Sequence, residues 1–167
     1  MQEIICTESL IAFANLQLED SGSLQEGWAC EIVDSGEEKW ICFLHLPTQY
    51  FTLAGPFSDK GDINLRQMFA SSLDKALETD GFEDYRISDI TGRFRDMGLH
   101  SGPLSAQHLK ILTSLTKSFL AYAKAVGPTL DADEFAVQIR NAPGVQLAAI
   151  TPRNTFALWA ESTSMDD

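Results

Sequence analysis

The chain has 167 residues, of which 44% are hydrophobic and 10% aromatic, and its formal net charge is −12 at pH 7. A chain of this length and composition can bury a substantial core, which excludes an intrinsically disordered protein. No apolar run approaches the roughly 18 to 20 residues that a membrane-spanning helix needs, and residues 1–3 lack the basic start of a signal peptide. We therefore expect a cytoplasmic protein without a membrane partner.

The negative charge is concentrated in the first part of the chain. Residues 1–96 contain 18 acidic and 7 basic side chains, whereas residues 97–167 contain 6 and 5. Such an excess repels nucleic acid, so we predict no direct contact with DNA or RNA. Two interpretations stay open: the charge serves solubility alone, or it forms an acidic surface suited to a basic protein partner.

The first predicted element is a helix over about residues 8–18, with Thr7 as its N-cap. Its apolar face includes Leu10 and Phe13 and is wider than contact with one neighbouring element requires. This face either packs on a sheet or receives a partner protein. Leu10 and Phe13 are therefore candidate client-binding residues.

A three-stranded antiparallel meander is predicted for residues 28–53, and the rest of the chain is organised around it. Residues 28–33 alternate as strand residues do, and 34–37 supply turn chemistry. Residues 40–46 form an apolar run typical of a strand covered on both faces, and 50–53 form the third strand.

The register of the first hairpin decides which side chains share a face. Pairing Asp34 with Glu38 places Cys30 opposite Cys42. One face, directed toward the thicker part of the core, would then contain Trp28, Cys30, Ile32, Trp40, Cys42 and Leu44.

The other face of the meander is the predicted docking place for a client segment. Ile41 and Phe43 share their parity with the polar residue His45, so we expect this face to be less completely closed. Phe51 on the third strand completes the predicted client-binding set.

A second helix is predicted over about residues 63–79, capped by Asp62 and ended by Gly81. One arc of this helix is apolar with a small residue at its centre, and its members include Leu65, Met68, Phe69, Ser72 and Leu73. The small centre suits close approach by either the sheet or a second copy of the chain. We predict a homodimer built on this arc.

The middle of the chain predicts strands followed by a long helix. Residues 82–100 favour two short strands, near 84–90 and 92–99. The longest helix is expected over about 105–126, opened by a serine and closed by Gly127 and the proline after it.

The end of the chain predicts a helix and a β-hairpin. Asp131 and Glu134 resemble a capping box for a short helix that runs to about Asn141. Strands are expected at 145–150 and 155–161, joined by a turn.

The predicted fold class is α+β with an antiparallel sheet. The expected order is helix, three-strand meander, helix, two short strands and long helix within residues 1–128. Residues 129–167 would add the C-terminal helix and hairpin, packed on the same domain.

No motif predicts a metal, a cofactor or a catalytic centre. Cys-x-x-Cys and His-x-x-x-His are absent, and the three cysteines fit reduced, buried thiols. The best enzymatic alternative would place His100, Asp96 and Arg95 around one loop. We expect a protein that is not an enzyme.

The segments LIAFA at 10–14, WACEIVD at 28–34 and WICFL at 40–44, with Leu24 between the first two, resemble the sequence pattern of a known protein family. Together with the element order, small size and acidity, this pattern resembles the class I chaperones of bacterial type III secretion. The resemblance covers about residues 8–126, and the last helix and hairpin lie outside that family's plan. It implies a dimer without ATPase activity, joined through the second helix and the fourth strand region. Apolar patches on the first helix and first strands would hold an extended segment of an effector.

The sequence thus predicts a protein-binding module that holds an extended segment of a client effector protein. The alternative is an acidic inhibitor, of the phage-encoded or immunity type, that covers a basic, nucleic-acid-binding surface of a target. In both cases the partner is another protein.

Overall fold

The chain is organised around one mixed β-sheet. The structure, a computed structural model, describes residues 3–14, 16, 18–20, 27–36, 38–57, 63–143 and 150–164. The strands in these ranges are β1 Ile4–Cys6, β2 Glu19–Asp20, β3 Trp28–Asp34, β4 Lys39–His45, β5 Phe51–Phe57 and β6 Leu99–Ser101. Their order across the sheet is β2-β6-β1-β3-β4-β5, which leaves β5 at one edge.

The predicted meander is confirmed, because β3, β4 and β5 pair antiparallel in chain order. The expectation of a purely antiparallel sheet is wrong: β1 is parallel to β3 and β6, and β2 is parallel to β6. The sequence pattern did not reveal β1 because its three residues are all buried and show no alternation. Parallel strands need a crossover connection, and helix α1, Glu8–Ala14, lies in the connection from β1 to β3.

The register of the β3–β4 hairpin differs by one residue from the prediction. Asp34 pairs with Lys39, whereas the sequence predicted Asp34 opposite Glu38. One step of register moves every β4 side chain to the other face of the sheet. The observed faces are Trp28, Cys30, Ile32, Ile41 and Phe43 on one side, and Ala29, Val33, Trp40, Cys42 and Leu44 on the other.

Helices cover both faces of the sheet. The Phe43 face packs against α1, α2 Leu65–Thr79, α3 Asp84–Arg93 and α6 Pro152–Ser164. The Trp40 face packs against α4 Ala106–Val126 and α5 Ala132–Arg140, which a single 3-10 turn at Gly127–Thr129 connects. The sheet is therefore the middle of three layers, which explains why β4 is apolar on both parities.

The strand predicted at 84–90 is wrong, because residues 84–93 form α3. Ile87 is half-buried and Ile90 is buried on the same side of this helix, a three-residue spacing that is typical of a helix and not of a strand. Of the strand predicted at 92–99, only its last residue belongs to a strand, namely β6.

The C-terminal hairpin is also a wrong prediction. Residues 152–164 form α6, and the expected hairpin turn is the start of this helix. Thr151 accepts the backbone N–H of Asn154 on its Oγ1 at 3.1 Å, and Pro152 occupies the first helical position, where its missing N–H has no consequence. The strand predicted at 145–150 lies, apart from its last residue, outside the described residues.

Several predicted helix ends are confirmed. Ser105 and Asp131 cap α4 and α5: the Ser105 side chain accepts one backbone N–H of the first turn, and the Asp131 side chain accepts two. Thr7 caps α1 through a 3.5 Å hydrogen bond from a first-turn N–H, although α1 is shorter than predicted. The cap of α2 is Asn64, whereas the predicted cap Asp62 lies outside the described residues.

Candidate partner-binding groove

Four of the five predicted client-binding residues lie in the two hydrophobic cores. Leu10, Ile41, Phe43 and Phe51 are each at most 1% exposed. Phe13 is half-buried at the end of α1, with its ring 6.2 Å from the ring of Phe57. The expectation of a less completely closed face is wrong, because α2, α3 and α6 cover it and His45 is fully buried.

The predicted dimer arc of α2 faces the sheet. Leu65, Phe69 and Leu73 are each at most 3% exposed. Met68 and Ser72 at the margin of the arc stay partly exposed, and Ser72 Oγ lies 2.8 Å from Thr52 Oγ1 on β5. The homodimer stays a prediction, but in this fold the buried part of the arc does not offer a contact surface.

A groove of about 640 Å³ lies beside the outer edge of β5, between α2 and the start of α5. We call it the β5 groove; its lining includes Leu53, Met68, Ser71, Lys75, Asp131 and Asp133. An adjoining depression of about 730 Å³ extends from Pro56 to the β3–β4 turn and includes Trp40 and Glu38. The two share Pro56, Leu130 and Ala132, so they adjoin along these residues.

Backbone groups of β5 point into the groove. The His45 N–H donates to the Tyr50 carbonyl at 2.7 Å. In an antiparallel pair the backbone groups of alternate residues face the neighbouring strand, so those of Tyr50, Thr52 and Ala54 face β4. The N–H and C=O of Phe51 and Leu53 therefore face outward. The Phe51 carbonyl is occupied, because Arg140 Nη1 donates to it at 3.3 Å. Within the described ranges, no side chain or strand occupies the outward N–H and C=O of Leu53.

The pairing of β5 changes just beyond Leu53. The register between β4 and β5 shifts between Lys39 and Ile41, so an extra β5 residue stands near Gly55 and Pro56. Pro56 has no N–H to offer another strand. A partner strand could therefore pair only over a short stretch centred on Leu53.

The walls of the groove are joined by a buried ion pair that we call the Asp80 clamp. The Asp80 carboxylate accepts hydrogen bonds from the Tyr50 hydroxyl at 2.7 Å and from Arg140 Nε and Nη2 at 2.8 and 3.1 Å. Asp80 follows α2 and Arg140 ends α5, so the clamp passes around the edge of β5 and connects two layers. Burial raises the pKa of the Tyr50 hydroxyl, which therefore stays protonated and donates.

An exposed ion pair spans the same two helices at the groove itself. Lys75 Nζ on α2 lies 2.6 Å from Asp133 Oδ2 on α5, and the two side chains are 65% and 42% exposed. The hydrogen bond to Asp133 raises the pKa of Lys75, with further contributions from the charges of Asp133 and Asp131. Since both partners are exposed, this ion pair can open without breaking the fold.

Trp40 lines the adjoining depression and has a buried indole N–H. Its side chain packs edge-on to Phe119, 4.9 Å between ring centroids, and the residue is 2% exposed. Its Nε1 is one of three buried polar side-chain atoms that lack a partner in the described part of the chain. Gly55 lies against the indole: at its φ of +139° a Cβ would stand 2.8 Å from Trp40 Cδ1, so a side chain there would displace the indole.

The residues of the enzymatic alternative do not form one site. His100 is buried on β6, with Nε2 2.5 Å from Glu3 Oε2, whereas Asp96 and Arg95 are exposed in the turn after α3. Among the described residues, no group of three or more His, Cys, Asp or Glu side chains could hold a metal ion.

The buried histidine of β4 is a core residue. His45 lies within 4.4 Å of Trp159 and 4.8 Å of Trp28, measured between ring centroids, and its Nδ1 is hydrogen-bonded to Thr48 Oγ1 at 2.8 Å. Its Nε2 has no partner among the described residues. Burial lowers the pKa of His45 to about 3, so the ring is neutral at physiological pH.

No protein-family model matches the chain, and no curated protein matches it. In the parts of the chain that the structure describes, no helix combines the length and apolar character needed to cross a bilayer.

Sequence reasoning did not find the groove residues. Asp80 and Arg140 are 60 positions apart, and neither belongs to a motif that pairs them. The signal available for the groove was modest: Gly55 and Pro56 end the meander, and proline within a strand is typical of an edge.

Proposed function

We propose that the protein is a non-catalytic protein-binding module that holds an extended segment of a partner protein in the β5 groove. The observation behind this proposal is the outward backbone of Leu53, set at a sheet edge between α2 and α5. Extended peptides add to such edges through main-chain hydrogen bonds, while side-chain pockets select their sequence.

The dimensions and rigidity of the groove support this role. Its volume of about 640 Å³ is within the roughly 300 to 1,000 Å³ of typical ligand pockets. The Asp80 clamp fixes α2 and α5 relative to β5, so a bound segment would not have to order the walls. Preformed walls favour binding because little entropy is lost on the protein side.

This role agrees with what the resemblance to class I secretion chaperones implies, and we keep a client effector within the proposal. The binding surface differs from the first expectation. Apolar residues such as Phe43 are buried, so the segment would lie against Leu53 and Met68 at the margins of the core instead.

The alternative function is an acidic inhibitor that covers a basic surface of its target. The observation in its favour is the excess of 18 acidic over 7 basic side chains in residues 1–96. Binding through a broad acidic surface would weaken steeply as salt rises, because exposed charges are screened over about 8 to 10 Å at physiological ionic strength. Binding in the β5 groove would rest mainly on main-chain hydrogen bonds and apolar contact and would involve few charges, so its affinity would fall less steeply with salt, and the slope of a salt titration separates the two.

A groove-filling substitution tests the proposed function. Ser71 lines the β5 groove and is exposed on α2, so Ser71→Tyr should obstruct the groove without disturbing the core. Ser88→Tyr on exposed α3 is the matched control. We expect a display library of short random peptides to yield binders on the wild type and on Ser88→Tyr, but not on Ser71→Tyr. Binders that are retained equally on Ser71→Tyr would contradict the proposal.

A further inference from the structure

We infer that the segment held in the β5 groove is basic: an extended stretch with a Lys or Arg side chain directed at Asp131 and Asp133. This inference rests on the proposed function and adds the chemical class of the partner segment.

The charges around the groove are unbalanced. Asp131, Asp133 and Glu38 line the groove and its adjoining depression, and Lys75 is the basic residue among the described lining residues. Lys75 is already paired with Asp133. The remaining acidic charge attracts a cation and repels an acidic segment.

Asp131 is held in place by the backbone of α5. Its Oδ1 accepts the N–H groups of Asp133 and Glu134 at 3.0 and 3.2 Å. A carboxylate at a helix N-terminus is stabilised by the helix dipole, so Asp131 presents a fixed negative charge. The planar guanidinium of an arginine would suit the two neighbouring carboxylates better than the point charge of a lysine.

A second, independent feature points to a ligand in the same groove. The outward N–H and C=O of Leu53, which lines the groove together with Asp131 and Asp133, have no partner among the described residues. The main chain of an extended segment supplies an acceptor and a donor for both groups.

The geometry therefore specifies two contacts for one segment. Its backbone pairs with the outward N–H and C=O of Leu53, and a basic side chain meets Asp131 and Asp133. The exposed Lys75–Asp133 ion pair opens when the incoming cation replaces Lys75 beside Asp133.

The test uses the full chain and a display library of short random peptides. Selection is performed on the wild type, on Asp131→Asn/Asp133→Asn, and on the control Asp74→Asn/Glu78→Gln. The control makes the same change in net charge at exposed α2 positions that do not line the groove. Asparagine retains the N-cap of α5, and thermal melting of each variant verifies the fold.

We expect Lys and Arg to be enriched among peptides selected on the wild type and on the control, and not on the groove variant. The Kd of a selected peptide, measured by fluorescence anisotropy, should weaken about two- to fivefold for each ion pair lost on the groove variant, and should not change on the control. Groove-dependent peptides without basic enrichment, or with an unchanged Kd on the groove variant, overturn the inference but leave the proposed function. A library that yields no groove-dependent peptide overturns the proposed function and this inference with it.

Discussion

Arg140 donates two hydrogen bonds to Asp80 across the edge of the sheet, from Nε at 2.8 Å and from Nη2 at 3.1 Å. The two side chains are 3% and 0% exposed. Helix α6, which lies in the same layer as α2, is attached at the same point, because Arg153 of α6 donates to the Asp80 main-chain carbonyl at 3.2 Å. Asp80 therefore positions α2, α5 and α6 around β5, through its carboxylate toward α5 and through its main-chain carbonyl toward α6.

Removal of Arg140 should destabilise the protein strongly. Arg140→Met leaves the Asp80 carboxylate buried without its cation, which costs about 3 to 5 kcal/mol. Lys75→Met is the matched control because Lys75 joins the same two helices from an exposed position, where an ion pair contributes about 1 kcal/mol or less. Urea denaturation measures both variants. Equal losses in the free energy of unfolding of the two variants would show that the Asp80 clamp does not hold the layers together.

Acid should weaken the fold through His45. Burial lowers its pKa from 6.5, the ordinary value in an unfolded chain, to about 3 in the folded state. Because the folded pKa is depressed, the unfolded state binds the extra proton below pH 6.5. Stability is complete above that pH and falls by up to about 1.4 kcal/mol per pH unit toward pH 3.

The variant His45→Phe separates this effect from the titration of the carboxyl groups. It retains an aromatic ring beside Trp28 and Trp159 and removes the titrating nitrogen. The free energy of unfolding should therefore fall less steeply between pH 6.5 and 4 in the variant than in the wild type. Parallel pH profiles from urea denaturation would show that His45 does not govern the acid response.

Phe43 should be a core residue with no direct part in binding. It is fully buried, with its ring 5.1 Å from the ring of Phe69. Phe43→Asp buries a carboxylate at a cost of several kcal/mol, enough to unfold a domain whose total stability is roughly 5 to 15 kcal/mol. Phe13→Asp, at a half-buried position, should remain folded with a lowered melting temperature. A folded Phe43→Asp protein that has lost partner binding would contradict this role and support the sequence-based prediction that Phe43 contacts the client.

The three thiols should be unreactive in the native protein. All three cysteines are buried and free, and burial raises the pKa of Cys42 to about 12 and that of Cys30 well above its usual value. The thiolate is the reactive form. An aromatic disulfide reagent at pH 8 should react with the thiols only after denaturant is added. Rapid reaction of the native protein would indicate that the β1–β3 region opens readily.

Local patterns in the sequence predicted the elements that depend on local chemistry. Alternation identified the meander, and the capping residues Ser105 and Asp131 located two helices. The hairpin register depended on one residue of turn geometry, namely whether Asp34 pairs with Glu38 or Lys39. α6 was mistaken for a strand because its N-terminal Thr-Pro pair also suits a turn.

The groove could not be predicted because it depends on long-range topology. Leu53 becomes a binding candidate only once β5 is known to be the edge strand. β5 is the edge strand because β1 pairs with β3, so that β1 and its neighbour β6 extend the sheet on the side away from β5. The walls depend on Arg140 reaching Asp80, a contact between side chains 60 residues apart.

The amide exchange of Leu53 tests the central claim most directly, because its N–H is the group that a bound segment would use. In the free protein, we expect the Leu53 amide to exchange rapidly while those of Thr52 and Ala54, which face β4, are protected. Addition of a peptide selected on the wild type should slow exchange at Leu53, as followed by NMR, and Ser71→Tyr should abolish this change. Unchanged exchange at Leu53 with the peptide bound would contradict the assignment of the β5 edge as the binding site.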